Sequence, residues 1–298
     1  MDVDLRKLRY FVAVAEELHF GRAAARLHIA QPVLSRQIRA LEHELRAELF
    51  LRDRRSTVLT EAGRQLLVDA RPLLASAEAL RRRVHRAAHG RPTFTIAFMP
   101  GIIVTAEARA IARLHPDLSV AVVRTSWNDQ VEVVHDGRAD VSYVRLPVDH
   151  RGLRLRPLFT EPRVVVLPRD HRLAGKESID LADLAGERLL QDPDAVPEWR
   201  DLPDRRTDPE PRPRPELNSV EEKLEHVAAY AGMAILPLST AAFYTRPDVV
   251  HVPVADLGHN QVCLAWAEGN RSPLVDEFVD IAVRQARAAG LSPQESAS

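Results

Sequence analysis

The chain has 298 residues, 45% apolar and 28% charged, the balance of a soluble globular protein with room for about two domains. No apolar run reaches the roughly 18 residues a membrane helix requires, and the charged opening from Met1 to Arg9 lacks the apolar core of a signal peptide. A single cysteine, Cys263, excludes an internal disulfide and fits a cytoplasmic protein. The net charge of -1 conceals an asymmetry: residues 1–90 hold 17 Lys and Arg against 11 Asp and Glu, and the remainder holds 24 against 31. A basic head on an acidic body suits a polyanion-binding module joined to something else. A solvated face that merely happens to be basic is the plain alternative.

Leu5, Leu8, Val12 and Ala15, with Phe11 and Leu18 beside them, recur at helical spacing and predict a helix with a wide apolar stripe. Gly21 is an acceptable N-cap for a short second helix holding Ala23, Ala24 and Leu27. His28-Ile29-Ala30 reads as a turn. Pro32 suits the start of a third helix, where its missing N–H would be unbonded anyway. In that helix Leu34, Ile38, Leu41 and Leu45 share one face. Rotation by about 100° per residue puts Pro32, Ser35, Arg36, Arg39 and His43 on the other, with Gln31 at its N-terminal edge. Gln can bond adenine, Arg guanine and Ser either, so the face suits a DNA major groove. Two helices joined by a tight turn, the second presenting such a face, make a helix-turn-helix.

"FLRDRRSTVLT" follows. Arg52, Arg54 and Arg55 precede the strand-like Ser56-Thr57-Val58-Leu59, which reads as a hairpin wing touching phosphate or the minor groove. Thr60 then caps a long helix. Leu59, Gly63, Leu66, Ala70, Leu73, Ala77, Leu80 and Val84 alternate in steps of 4 and 3, a heptad seam of about three and a half repeats. Leu66, Leu73 and Leu80 are its dimerisation residues, and a second copy of the chain is its expected partner. Pro72 should kink the helix or remove one hydrogen bond. His85 and His89 stand four apart without a third ligand nearby, so no metal site and no cofactor are expected.

The stretch "LRYFVAVAEELHFGRAAARLHIAQPVLSRQIRALEHELRAELFLRDRRSTVLTEAGRQLL" resembles the winged helix-turn-helix of the LysR-type transcriptional regulators. The resemblance implies an α/β protein with an N-terminal winged helix-turn-helix over 1–59, a linker and dimerisation helix over 60–90, and a two-lobed, periplasmic-binding-protein-like effector domain over 91–298. Its first lobe would hold about 91–160 and 266–298, its second about 161–265. It implies a homodimer or homotetramer on inverted-repeat double-stranded DNA, with Gln31, Pro32, Ser35 and Arg36 contacting bases and Arg52, Arg54 and Arg55 in the wing. One departure is Ala30, where the family often has Ser, so a capping or phosphate contact is missing.

Beyond the hinge-like Gly90-Arg91-Pro92, "TFTIAFMPG", a helix over about Val104 to Leu114, "LSVAVVRT", a helix through Val131 to Asp136 and "ADVSYVRLP" alternate strand with helix. That order predicts a parallel sheet. Ligands in such folds sit at the carboxyl ends of strands, which singles out Met99, Pro100, Gly101 and Ile102, then Thr125, Ser126, Trp127 and Asn128, then Arg145. Packing for Trp127 and a surface ion pair for Arg145 are the plain alternatives. "RVVVLPRDH" starts a second lobe, "LADLAGERLL" leads to its next strand, and Ser219 with Glu222 makes a capping box before a further helix and strand. "NQVCLAWAE" reads as a strand and "SPLVDEFVDIAVRQARAAG" as a closing helix returning to the first lobe.

"DGRADVSYVRLP" also resembles the regulators that respond to muconate and related aromatic-degradation intermediates, and Arg145 matches their arginine. The hydroxyl residues that hold the effector carboxylate there align here with Gly101 and Trp127, although Ser126 and Thr125 could substitute. These departures imply a smaller or differently shaped pocket that holds muconate weakly. A small organic acid lying against Pro100, Gly101, Ile102, Ser126, Trp127 and Arg145 is the expected effector. Seven prolines between Gln191 and Leu217 favour an extended loop where the family usually has a helix. A ligand-independent regulator with a degenerate pocket is the main alternative. An enzyme would show an elbow, Walker, dinucleotide or HExxH motif, and none occurs. A solute-binding transport protein would need a signal peptide and no basic head.

Overall fold

The computed structural model describes residues 4–52, 57–89, 92–202, 217 and 219–292. The chain divides into two compact units, one built on the first 89 residues together with 135–138 and one on the remainder. In the first, α1 (Leu5–Glu17) is capped by Asp4, which accepts from the Arg6 N–H at 2.8 Å. Leu18 departs from the expected apolar stripe: it ends the helix with φ 46° and is 47% exposed. Helix α2 (Phe20–Arg26) starts one residue before Gly21, and its N-cap is His19. The His19 Nδ1 accepts from the Gly21 and Arg22 N–H groups, both at 3.1 Å. Helix α3 (Gln31–Leu45) has Pro32 in its first turn, and its N-cap Ala30 makes no side-chain bond.

Strands β1 (Phe50–Arg52) and β2 (Thr57–Leu59) pair antiparallel, with Leu51 opposite Val58. The Glu42 carboxylate of α3 accepts from the Leu49 N–H at 3.1 Å and the Phe50 N–H at 3.4 Å, which ties the hairpin to the helix. The long helix α4 (Glu61–His89) runs through Pro72 and is capped by Thr60, whose Oγ1 accepts from the Gly63 N–H at 2.9 Å. A Cβ at Gly63 would lie 2.2 Å from the Leu49 carbonyl oxygen, so only glycine lets α4 lie this close. Phe11, Leu34, Ile38, Leu41, Leu49 and Phe50 form one buried core, and a fully buried side chain of this size contributes about 1.5–3 kcal/mol. Ala70, Leu66, Leu67 and Leu74 of α4 pack on the same core. The seam therefore divides: its first turns serve the head, and Leu73, Leu80 and Val84 stay 47%, 57% and 61% exposed.

The second unit opens with β3 (Thr93–Phe98), α5 (Thr105–Leu114), β4 (Ser119–Arg124), α6 (Glu132–His135) and β5 (Val141–Arg145). Both β4 and β5 pair parallel with β3. Then come β6 (Leu153–Glu161), β7 (Arg163–Pro168), α7 (Pro197–Arg200), α8 (Val220–Ala228), β8 (Ala234–Pro237), α9 (Leu238–Phe243), β9 (Val249–Pro253), β10 (Asn260–Ala267) and α10 (Pro273–Ala288). The first sheet has the order β4-β3-β5-β10-β6, with β10 antiparallel to both neighbours. The chain thus re-enters the first lobe at about Asn260, six residues before the expected 266, because all of β10 pairs there. The Phe278 ring of α10 packs tilted against Phe94 at 5.2 Å and edge-to-face against Tyr143 at 6.4 Å, which returns the closing helix to this lobe.

The second lobe holds the antiparallel sheet β8-β7-β9. Its central strand is apolar from Val164 to Pro168 because both faces are covered there: Val165 and Leu167 meet one core, Val164 and Val166 another. The strand expected after "LADLAGERLL" is only an isolated bridge, Leu189 to Met233. Two residues on, the Gln191 amide donates to the Ile235 carbonyl and accepts from its N–H, both at 2.9 Å, standing in for strand pairing. Of the proline-rich stretch, residues 203–216 lie outside the described residues, while Trp199 of the short α7 is buried in the second-lobe core.

Candidate functional site

The head presents one chemically distinctive surface. Leu34, Ile38 and Leu41 anchor α3 in the core, which turns Gln31, Pro32, Arg36, Arg39 and His43 outward and leaves Ser35 half-buried. Several cations elsewhere in this unit are paired, Lys7 with Glu44, Arg9 with Glu78, Arg22 with Glu17, Arg26 and Arg71 with Glu16, while Arg6 and Arg46 have no ion pair among the described residues. Among the described residues Arg36 and Arg39 meet no carboxylate. Two unpaired guanidinium groups and an amide on the first turns of one helix make a surface for a polyanion with hydrogen-bonding edges. The β1–β2 hairpin provides the expected wing. Arg52 ends β1, but its side chain lies outside the described residues, as do Arg54 and Arg55 altogether.

In the second unit a cleft of about 1010 Å³ opens at the carboxyl ends of β3, β4 and β5, where the strand order predicts it. Its walls include Met99, Pro100, Arg124, Ser126, Trp127, Asn128 and Arg145 on one side. Leu190, Gln191, Val196, Ser219, Val220, Lys223, Leu236 and Thr240 stand on the other. Of the six expected effector residues, Pro100, Ser126, Trp127 and Arg145 line it. Ile102 does not: it is buried in the first-lobe core. Gly101 is absent from the walls for a different reason. Its φ is +84°, and a Cβ there would lie 2.6 Å from the Thr240 backbone, so the turn after β3 presses on α9 and has no room for a hydroxyl side chain. The volume reaches the upper end of ordinary ligand sites, so of the smaller or differently shaped pocket expected the cleft is not the smaller one.

Arg145 is 1% exposed. The antiparallel register places Asn260 opposite Glu161 and Val262 opposite Arg145, so the three polar residues converge at one end of the sheet. The guanidinium pairs with the Glu161 carboxylate and donates to the Asn260 Oδ1 at 3.0 Å, the Pro100 carbonyl at 3.3 Å and the Ser239 Oγ at 3.0 Å. Glu161 also accepts from the Ser239 N–H at 2.8 Å, and the Thr240 hydroxyl donates to the Pro100 carbonyl at 2.9 Å. Burial lowers the Arg145 pKa, and the Glu161 carboxylate opposes that shift. Arg145 is therefore neither a surface ion pair nor an uncommitted anion partner. It joins the first lobe to α9 of the second. The hydroxyl donors are also occupied: Ser126 donates to Asp129 at 2.8 Å and Thr125 to the Phe98 carbonyl at 3.2 Å.

Lys223, Thr240, Glu161 and Asn260 belong to this region but were not singled out from the sequence. Lys223 carried a usable signal. It lies on the α8 face that holds Val220 and Val227, where a lysine is out of pattern.

Comparison with known proteins agrees with this division. Residues 5–64 match the bacterial regulatory helix-turn-helix protein, lysR family, and residues 87–287 match the LysR substrate binding domain. The chain is 32% identical to the Hca operon transcriptional activator HcaR of Escherichia coli, covering 97% of this chain and 100% of that one. It is 32% identical to the HTH-type transcriptional regulator CatR of Pseudomonas putida, over 95% and 100%. The structure of full-length CbnR complexed with its target DNA superposes with a TM-score of 0.51 at 28% identity, over 95% of this chain and 100% of that one. No described helix is long and apolar enough to cross a membrane. With both of its parts matched over nearly their whole length, the chain belongs to the LysR family and is a DNA-binding transcriptional regulator, not an enzyme.

Proposed function

We propose that this regulator acts in the cytoplasm as a homodimer or homotetramer on inverted-repeat DNA, under the control of a small organic acid bound in the cleft. The observation that carries the reading is the outward face of α3. Gln31, Pro32, Ser35, Arg36 and Arg39 stand together there, and its two arginines have no carboxylate partner among the described residues. In this reading they contact bases, while Arg52, Arg54 and Arg55 attract phosphate. The 1–59, 60–90 and 91–298 division follows the same plan, with the second lobe ending near 259. The nearest branch is the muconate-responsive one, a placement supported by "DGRADVSYVRLP" and by the similarity to CatR.

Assembly is assigned to the exposed half of the α4 seam. Leu66 packs within the head, so Leu73 and Leu80 supply the free apolar surface. Leu73→Asp would bury a charge at an interface between copies and is expected to give monomers or insoluble protein. Sedimentation of a soluble Leu73→Asp protein that remained an intact oligomer would count against this seam.

The cleft departs from a muconate site in its donors. Gly101 has no hydroxyl, Ser126 and Thr125 donate elsewhere, and Arg145 is neutralised by Glu161. Wild-type protein is thus expected to bind muconate weakly, and Trp127→Thr, which restores a hydroxyl on the wall, to bind it better. Calorimetric titration checks both. Tight muconate binding that is indifferent to Trp127 would place the effector elsewhere.

A further inference from the structure

The charges around the cleft can be balanced one by one. Arg145 faces Glu161, Arg163 faces Glu198, and Arg124 lies 3.7 Å from Glu221. Asp192 is also engaged. That leaves Lys223, which lines the same space and whose ammonium has neither a carboxylate nor a hydrogen-bond partner among the described residues. Its position explains its isolation. Val220, Leu224 and Val227 are buried on α8, and Lys223 lies one turn from Val220 and from Val227, so its ammonium leaves the helix along an apolar face. Burial lowers its pKa, with no charged neighbour among the causes. A half-buried cation without a counter-charge is costly, and a ligand carboxylate removes that cost through a charge-assisted hydrogen bond. Leu190, Val196 and Leu236 supply apolar wall in the same cleft.

We propose that Lys223 holds the carboxylate of a monoanionic organic acid whose apolar body fills the cleft. This rests on the cleft being the effector site. A dianion fits less well, because the arginines that line the cleft, Arg124, Arg145 and Arg163, already have acidic partners for its second carboxylate to compete with.

The test uses full-length protein with hexanoate, benzoate, adipate, muconate and the neutral hexanamide and benzamide. The monocarboxylates should bind more tightly than the dicarboxylates. Lys223→Met should weaken them roughly ten- to a hundredfold, while Lys223→Arg retains most of the affinity and the amides do not distinguish the variants. Trp127 fluorescence, with Trp127→Phe as reference, reports occupation of the cleft. An acid that perturbs Trp127 but binds Lys223→Met as tightly as wild type would leave the cleft reading standing and overturn the lysine assignment. An acid that binds without perturbing Trp127 and ignores Lys223 would overturn both. Absence of binding by any monocarboxylate at millimolar concentration, or a preference for the dicarboxylates, would also overturn it. Without ligand, Lys223→Met should raise the melting temperature by about 1–3 °C. A fall would show that the ammonium already has a partner.

Discussion

Replacing Arg145 with Met is expected to destabilise the α/β unit by about 3–5 kcal/mol, the usual result of removing one partner from a buried ion pair. The loss arises from what remains. Glu161 would keep its charge in a site 7% exposed, supported mainly by the Ser239 N–H, while Asn260 and the Pro100 carbonyl would lose a donor. Removing the second charge as well should reverse much of the loss, so Arg145→Met with Glu161→Gln is expected to be more stable than Arg145→Met alone. Urea unfolding followed by tryptophan fluorescence measures this selectively, because Trp127, Trp199 and Trp266 all lie in the second unit. A loss below about 1 kcal/mol for the single variant, the range of an exposed pair, would show that the Arg145 network does not hold the lobes.

The same network shows where the sequence was readable and where it was not. Arg145 could be placed at a strand end near the cleft because "ADVSYVRLP" alternates and ends in proline. Its partners could not, since Glu161, Ser239 and Asn260 lie 16, 94 and 115 residues away: Glu161 and Asn260 meet it through the register of β10 between β5 and β6, and Ser239 reaches it from α9 of the second lobe. Helix α3 was legible down to its faces because Leu34, Ile38 and Leu41 keep strict helical spacing, a local property. Strand β6 was not legible as a strand although Leu153-Arg154-Leu155-Arg156 alternates, because Pro157 breaks the run and leaves only four alternating residues before it. The start of α2 was misplaced because a histidine ring, rather than the usual Ser, Thr, Asp or Asn, does the capping. The division of the α4 seam was hidden as well: a heptad repeat shows that a face is apolar, not which surface covers it.

Sequence recognition by α3 is the centre of the account, and Arg36 is its sharpest point. Arg36 is exposed, one turn from the N-terminus of a helix whose opposite face is locked in the core, so removing its side chain should leave the fold intact. On the operator, identified first by genome-wide mapping of bound DNA, Arg36→Ala is expected to cost about 1–3 kcal/mol and to relax preference at one base position. On random DNA it should matter much less. Arg54→Ala, in the wing, should weaken operator and random DNA alike and reduce the salt dependence of binding by about one phosphate contact. The decisive measurement is a titration of wild type, Arg36→Ala and Arg54→Ala against operator and random duplexes across a range of salt. A selective loss for Arg36→Ala and a uniform loss for Arg54→Ala is the predicted result. Unchanged operator affinity and preference in Arg36→Ala would contradict it.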